Sequence, residues 1–534
     1  MKKINLKDSS FIIFILIAIF YAVGNFVWWT INTPIYPQGI YSQRLMDVFL
    51  DKYFFVDAPL VIWITKLMFY SFGKTYFDLQ IMFVNYMFFL IGLIFMYKLC
   101  FELKNKESGN IAMILFALVP AIYGLSRTFS NQIYHSTLIM IVNIYCLVKL
   151  DDFKNTKWSF IYGITVGVGL LIKDAFVVLF FSPWLYVVIK SLIDEVSRSK
   201  IINVFITMLI GVLISCCHYF KLEIIEKMLY DPITETTPIF CFDSLRVLTI
   251  GLSEWIVSPL FFLIFLISLY WFVFKYKNKN KLIIILWFLI PWLIMMFMPH
   301  ERFRSYGVPF SPIIILVISV FLSSIRKLLI KKLIVYVLLF VGVLQYVDFS
   351  YGVLNISLFD SSINICDKYE IKYYDKNEFI GYDFEKIKSY LEIIRVLKEE
   401  YKDYTIIKSG YYIDSNLLSM AAINNLEMIE RFLFSRKVGD DSYDDDVIDM
   451  IQDKKNVFLD LDSEHRSLDT KILEISEKKY WFYSNKIKNT KETYIKENVE
   501  YLTNLYNKLN SDMYSVKTIY ISPDEIYKIY KCKD

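Results

Sequence analysis

The 534-residue sequence has little of what a water-soluble chain of its length needs. Charged residues make up only 21% of it against 56% hydrophobic residues, with 17 Gly and 13 Pro. Soluble domains average about 25% charged and about 45–50% apolar residues. An array of soluble domains is therefore excluded, as are disordered and collagen-like chains. Histidine is scarce, with four residues, and the seven Cys form no Cys-x-x-Cys pair. Most of those Cys lie in apolar runs, where a small buried thiol is the ordinary reading, so a disulfide framework and a zinc site are both disfavoured. The polar C-terminal third has no Gly-rich phosphate loop, nucleophile elbow or His-Glu-x-x-His motif.

What charge there is divides the chain in two. Residues 1–347 hold 50 charged residues with a net charge of +12, and residues 348–534 hold 62 with a net charge of −8. Neither part reads as a nucleic-acid binder. Apolar runs long enough for a roughly 30 Å hydrocarbon core recur near 10–31, 78–99, 110–126, 131–149, 157–173, 176–191, 201–219, 255–274, 281–298, 307–324 and 329–346. The fold class expected is an α-helical polytopic membrane protein of about 11 transmembrane helices over residues 1–347. Residues 348–534 alternate short β-type runs with helix-like stretches, which predicts a small extracytoplasmic α/β domain.

One further run, 57–73, decides the topology. If it lies flat in the interface, six short basic clusters, from Lys2-Lys3 to Lys331-Lys332, all face the cytoplasm. If it crosses, five of the six move outside, against the positive-inside rule. Lys66 in mid-run and Pro59 near its start also suit an interfacial helix. The expectation is a plasma-membrane protein with a cytoplasmic N-terminus and an extracytoplasmic C-terminal domain.

The outer face then collects the first loop, the Ser126-Arg127 turn, the Lys173-Asp174 corner, the loop 220–254 and the stretch His300–Tyr306. Ala58-Pro59-Leu60-Val61-Ile62-Trp63, Ser126-Arg127, Leu171-Ile172-Lys173 and His300-Glu301-Arg302-Phe303-Arg304-Ser305-Tyr306 follow in an order and on a side that resemble the GT-C superfamily of polyprenyl-phosphate-sugar glycosyltransferases. The group includes protein O-mannosyltransferases and aminoarabinose transferases. The resemblance covers about two thirds of the chain, the membrane part. It implies transfer of a sugar from a polyprenyl-phosphate donor to a glycan, lipid or protein acceptor on the outer face, with no required cofactor.

Physical chemistry allows the same roles. A lipid phosphate sits at headgroup depth, where Arg302 and Arg304 offer bidentate hydrogen bonds, or anchor a helix end instead. Lys173 interrupts an apolar stretch and either meets the donor phosphate or pairs with Asp174. Arg127 suits the same anionic pocket or the interface, and Tyr306 completes the substrate-binding set. In the resembled enzymes an acid early in the first outer loop acts as base, but the matching stretch Tyr36–Tyr41 holds none. The candidates left in that loop are Asp47, Asp51 and Asp57. Asp47 and Asp51 share one face of any helix, and Asp57 alternatively caps the helix after it. Loop 220–254 has carboxylates enough to hold a divalent ion, though nothing in the sequence calls for one. The missing acid keeps a second reading open, a catalytically inactive GT-C-like protein that binds the lipid carrier or assists assembly. The high Lys, Ile, Asn and Tyr usage suggests a low-GC bacterium and an undecaprenyl carrier.

Overall fold

The computed structural model describes residues 9–31, 59–73, 77–127, 132–173, 175–194, 197–219, 249, 251–297 and 304–351. Towards the C-terminus it describes 362–366, 369–372, 393–397, 399–400, 405–409, 428–430, 456–462, 513–522 and 525–532. The apolar runs become helices, because in a medium without water a chain satisfies its backbone polar groups internally. They are α1 (Ser9–Ile31), α2 (Pro59–Phe72), α3 (Phe77–Leu103), α4 (Lys106–Ala117), α5 (Pro120–Leu125), α6 (Gln132–Lys149), α7 (Thr156–Ile172), α8 (Phe176–Asp194) and α9 (Arg198–Tyr219). A π turn at Leu252–Ile256 precedes α10 (Pro259–Phe274) and α11 (Lys281–Phe297), and a 3-10 turn at Arg304–Phe310 leads into α12 (Ser311–Ser324) and α13 (Leu328–Tyr351).

Among the described residues six helical stretches are long and apolar enough to cross a membrane by length and composition: Ser9–Trp28, Leu79–Leu103, Phe176–Asp194, Arg198–Cys216, Gly307–Ser324 and Leu328–Tyr351. Four shorter apolar helices accompany them. The run 110–126, read as one span, is broken into α4 and α5. Pro120 cannot continue a helix but fits its first position, so a new helix starts there. Local side chains set other boundaries. Asn105 and Ser108 exchange hydrogen bonds in a capping box at the start of α4, and the Asn155 side chain accepts from the Trp158 N–H at the start of α7.

Helix α6 forms the centre of the bundle, with every residue from Gln132 to Val148 buried. Its polar side chains are tolerated because neighbouring helices satisfy them; Asn143 Nδ2, for example, donates to Thr165 Oγ1 at 2.9 Å. Helices α7 and α9 pack closely through glycine. A Cβ at Gly163 would stand 2.8 Å from the Thr207 carbonyl oxygen, and one at Gly167 would stand 2.6 Å from Ile214 Cβ and 3.0 Å from the Gly211 carbonyl oxygen.

The turn between α6 and α7 carries three consecutive residues in the left-handed region, Asp151 (φ 48), Asp152 (φ 56) and Phe153 (φ 59). Each such non-glycine residue costs on the order of 1 kcal/mol, less for Asp. Contacts from three other elements hold the turn. Lys190 of α8 donates to both Asp152 carboxylate oxygens at 2.9 and 3.0 Å, Lys279 meets Asp151 at 2.8 Å, and Asn203 of α9 donates to the Phe153 carbonyl at 2.7 Å. Asp152→Ala removes the half-buried ion pair and puts a less tolerant residue at the same φ, so it is expected to cost about 1–2 kcal/mol, read as a lower melting temperature. A change within about 0.3 kcal/mol would show that the clamp is ornamental. Asp151 behaves differently. The hydrogen bond from Lys279 holds its carboxyl below the ordinary range. That exposed pair's small contribution is present at neutral pH and is lost as pH falls through the lowered value.

By contacts the chain forms two compact units: Met1–Ile35 with Phe55–Gly381, and Tyr36–Phe54 with Tyr382–Asp534. The first contains the helices above and an antiparallel pair, β1 (Ser362–Cys366) with β2 (Tyr369–Lys372). The second contains β3 (Thr405–Ser409), β4 (Met428–Glu430), β5 (Asn456–Asp462), β6 (Met513–Ser522) and β7 (Glu525–Cys532) in one mixed sheet of order β4-β3-β5-β7-β6. Strand β3 lies parallel to both β4 and β5, while β5–β7 and β6–β7 are antiparallel.

Candidate functional site

The short helix α5 ends in a turn that aims one cation into the bundle. The Ser126 hydroxyl donates to the Tyr123 carbonyl at 2.7 Å, and the Arg127 N–H donates to the Gly124 carbonyl at 3.2 Å. The turn is anchored from outside as well. Asn85 Nδ2 of α3 donates to the Ser126 carbonyl at 2.9 Å, Asn85 Oδ1 lies 2.8 Å from His135 Nε2 of α6, and the Tyr134 hydroxyl donates to the Asn85 carbonyl at 3.2 Å. His135 is thus a packed residue, with Phe88 edge-on to its ring.

Arg127 itself is 1% exposed. Its Nε donates to Asn25 Oδ1 of α1 at 3.1 Å and its Nη2 to the Tyr346 hydroxyl of α13 at 3.3 Å. Three rings face the guanidinium: Trp28 at 5.1 Å, Tyr346 at 5.5 Å and Tyr123 at 5.7 Å from Cζ. The Tyr351 hydroxyl donates to the Gly24 carbonyl at 2.9 Å and the Tyr21 hydroxyl to the Ala117 carbonyl at 3.0 Å, tying α1 to α13 and α4 around this point. Glycine at position 24 leaves room for this approach, since a Cβ there would fall 2.1 Å from the Tyr346 hydroxyl and force that ring to shift.

The charge balance of this cluster is incomplete. Among the described residues no carboxylate forms an ion pair with Arg127. An effective penalty of several kcal/mol attends burial of one ion. Cation–π contacts contribute about 0.5–2 kcal/mol each and neutral hydrogen bonds about 1 kcal/mol, so they offset much of it but supply no negative charge. Nη1 of Arg127, Nδ2 of Asn25 and Nε1 of Trp28 are all buried and without a hydrogen-bond partner among the described residues. Of the two readings the sequence left for Arg127, interfacial anchoring does not fit a side chain enclosed by three helices.

Lys173 caps the C-terminus of α7, its N–H donating to the Gly169 carbonyl at 3.0 Å, and it is half-buried. No described residue forms a hydrogen bond or ion pair with its ammonium. Helix α6 begins five residues after Arg127 and α7 reverses it, so Lys173 and Arg127 lie at one end of the bundle. Arg304 and Tyr306 fall in the 3-10 turn, which packs on α6 and on the π turn. Arg302, Asp47, Asp51 and Asp57 lie outside the described residues. Sequence reasoning missed Asn25, Tyr346 and Asn85. The available signal was an amide, Asn25, in an otherwise apolar helix three residues before Trp28.

The fold of this helical bundle is similar to that of known membrane-enzyme structures of low sequence identity. Residues 56–219 match the family described as dolichyl-phosphate-mannose-protein mannosyltransferase. The fold is shared with ArnT from Cupriavidus metallidurans bound to undecaprenyl phosphate, at TM-score 0.60 and 11% identity over 96% of this chain and 97% of that one. It is also shared with the Archaeoglobus fulgidus oligosaccharyltransferase in its apo form, at TM-score 0.55 and 11% identity over 89% and 71%. The archaeal oligosaccharyltransferase AglB from Archaeoglobus fulgidus, in complex with an inhibitory peptide and a dolichol-phosphate, matches at TM-score 0.50 and 10% identity over 88% and 70%. No curated protein sequence matches the chain.

Proposed function

We propose that the protein is a membrane glycosyltransferase that moves a sugar from a polyprenyl-phosphate donor to an acceptor on the outer face of the plasma membrane. The observation that carries this reading is a buried guanidinium with no carboxylate partner among the described residues, inside a GT-C-like bundle, at the end where Lys173 also lies. In the reaction an acceptor hydroxyl or amine attacks the anomeric carbon, its proton passes to a base, and the sugar–phosphate bond breaks with the electron pair leaving on the carrier phosphate. Lys173, Arg302, Arg304 and Arg127 are assigned to that phosphate, whose charge grows as the bond breaks, and Tyr306 to substrate contact. Asp47, Asp51 or Asp57 serves as base. No metal is required by this scheme, since cationic side chains balance the leaving phosphate. An undecaprenyl carrier is the specific proposal, consistent with the ligand of the ArnT structure. The positive-inside pattern puts the N-terminus in the cytoplasm, and the C-terminal unit is assigned to acceptor recruitment.

The test is turnover of a short polyprenyl-phosphate hexose by the purified protein. Lys173→Ala is expected to lower turnover by about 10- to 100-fold, the scale of a lost charged hydrogen bond that strengthens in the transition state. Neutralising the true base among Asp47, Asp51 and Asp57 should cost about 10²–10⁴-fold. The acid-free stretch Tyr36–Tyr41 favours one alternative, a catalytically inactive carrier-binding or assembly protein. Carrier binding without turnover of any of several sugars would select it.

A further inference from the structure

Three donors in the Arg127 cluster have no partner among the described residues: Arg127 Nη1, Asn25 Nδ2 and Trp28 Nε1. Asn25 and Trp28 are three residues apart on α1 and so share one face of that helix. Asn25 presents its oxygen to Arg127 Nε at 3.1 Å, and the opposite orientation would set an amide N–H against a guanidinium N–H. Nδ2 is therefore committed to a different acceptor. The Trp28 ring lies over the guanidinium, its centroid 5.1 Å from Cζ, and its Nε1 is buried beside that contact without a partner among the described residues.

We infer that Asn25 and Trp28 supply, with Arg127, the N–H donors of a pocket that holds one phosphate-type oxyanion. The inference rests on the reading that this bundle handles a lipid phosphate, and it adds the first helix to the machinery that would do so. Its chemistry is selective. The three open groups are all N–H donors and one carries a full charge, so the matching ligand offers several acceptor oxygens and a negative charge. A neutral sugar or an alcohol answers the donors without answering the charge, and water does the same. Tyr346 acts as a positioning residue, holding Nη2 so that Nη1 remains open.

The experiment is calorimetric titration of the full-length, detergent-purified protein with undecaprenyl phosphate, with undecaprenol and with inorganic phosphate, for the wild type, Trp28→Phe and Asn25→Asp. Trp28→Phe keeps a ring and removes one donor, so affinity for undecaprenyl phosphate should fall about tenfold. Asn25→Asp puts a carboxylate against the guanidinium as an internal counter-ion. It should weaken binding by about 50-fold or more while raising the melting temperature of the ligand-free protein, two opposite shifts that a purely structural amide would not produce. Should that variant fail to fold, Trp28→Phe carries the test alone. Competition by inorganic phosphate would assign the pocket to a free oxyanion, and its absence would assign it to the lipid headgroup. Affinities of both variants within twofold of the wild type, or equal binding of undecaprenol, would overturn the inference. Intact binding without sugar transfer would remove the transferase reading and leave the pocket standing, whereas transfer with binding unaltered in both variants would do the reverse.

Discussion

Arg127→Met is expected to weaken carrier-phosphate binding by about 100-fold or more while leaving the melting temperature unchanged or higher. The two halves of that result have separate causes. Removing one partner of a buried, hydrogen-bonded charge pair costs about 2–5 kcal/mol of binding. In the ligand-free protein, however, Arg127 is a buried charge with no carboxylate partner among the described residues. An apolar side chain of similar length relieves its desolvation, and replacing buried ions by well-packed apolar residues is often neutral or stabilising. Against this stand three ring contacts and the hydrogen bonds to Asn25 and Tyr346, which together are comparable to the penalty. Calorimetric titration and a thermal melt on the same preparation read both quantities. A sharply lower melting temperature with affinity preserved would make Arg127 a structural pin and remove the main support for the function proposed.

Gly167→Val should destabilise the bundle by about 3 kcal/mol or more. Helices in a membrane associate through close packing rather than through exclusion of water, so the approach of α7 to α9 depends on residues without side chains. A Cβ at position 167 would meet Ile214 Cβ at 2.6 Å and the Gly211 carbonyl at 3.0 Å, contacts that yield only if the helices separate. The seam also carries hydrogen bonds that depend on the spacing, from Thr207 Oγ1 to the Ser159 carbonyl at 3.1 Å and from Asn203 Nδ2 to the Phe153 carbonyl at 2.7 Å. Gly92→Ala is the control. Its added methyl would meet Leu138 Cδ2 at 2.6 Å, the far end of a flexible side chain that can rotate away, so the expected cost is below about 1 kcal/mol. Thermal melts of the two variants in one detergent decide the matter, and equal losses would show that backbone approach is not what fixes this seam.

Much of the helical part was legible in the sequence, because an apolar run is a local property and each run carries helix. Where local chemistry intervened the reading slipped. Pro120 divides one expected span, and Ser258, with φ 86, delays the start of α10 to Pro259. Lys173 was legible as a lysine in an apolar stretch, and the structure leaves its ammonium without a described partner. Arg127 was legible only as a basic residue in a turn.

Composition and the spacing of apolar runs alone determined that this chain is a bundle of membrane-length helices with a polar C-terminal part, since the hydrophobic effect and backbone hydrogen bonding act on every residue where it stands. Which polar side chains share one enclosure was decided by tertiary structure. Arg127 meets an amide 102 positions away and a phenol 219 positions away, and no periodicity or motif encodes such a meeting. It arises because α1, α5 and α13 end at a common point where Gly24 lets Tyr346 approach, and where a buried charge must find its partners among whatever the packing brings near.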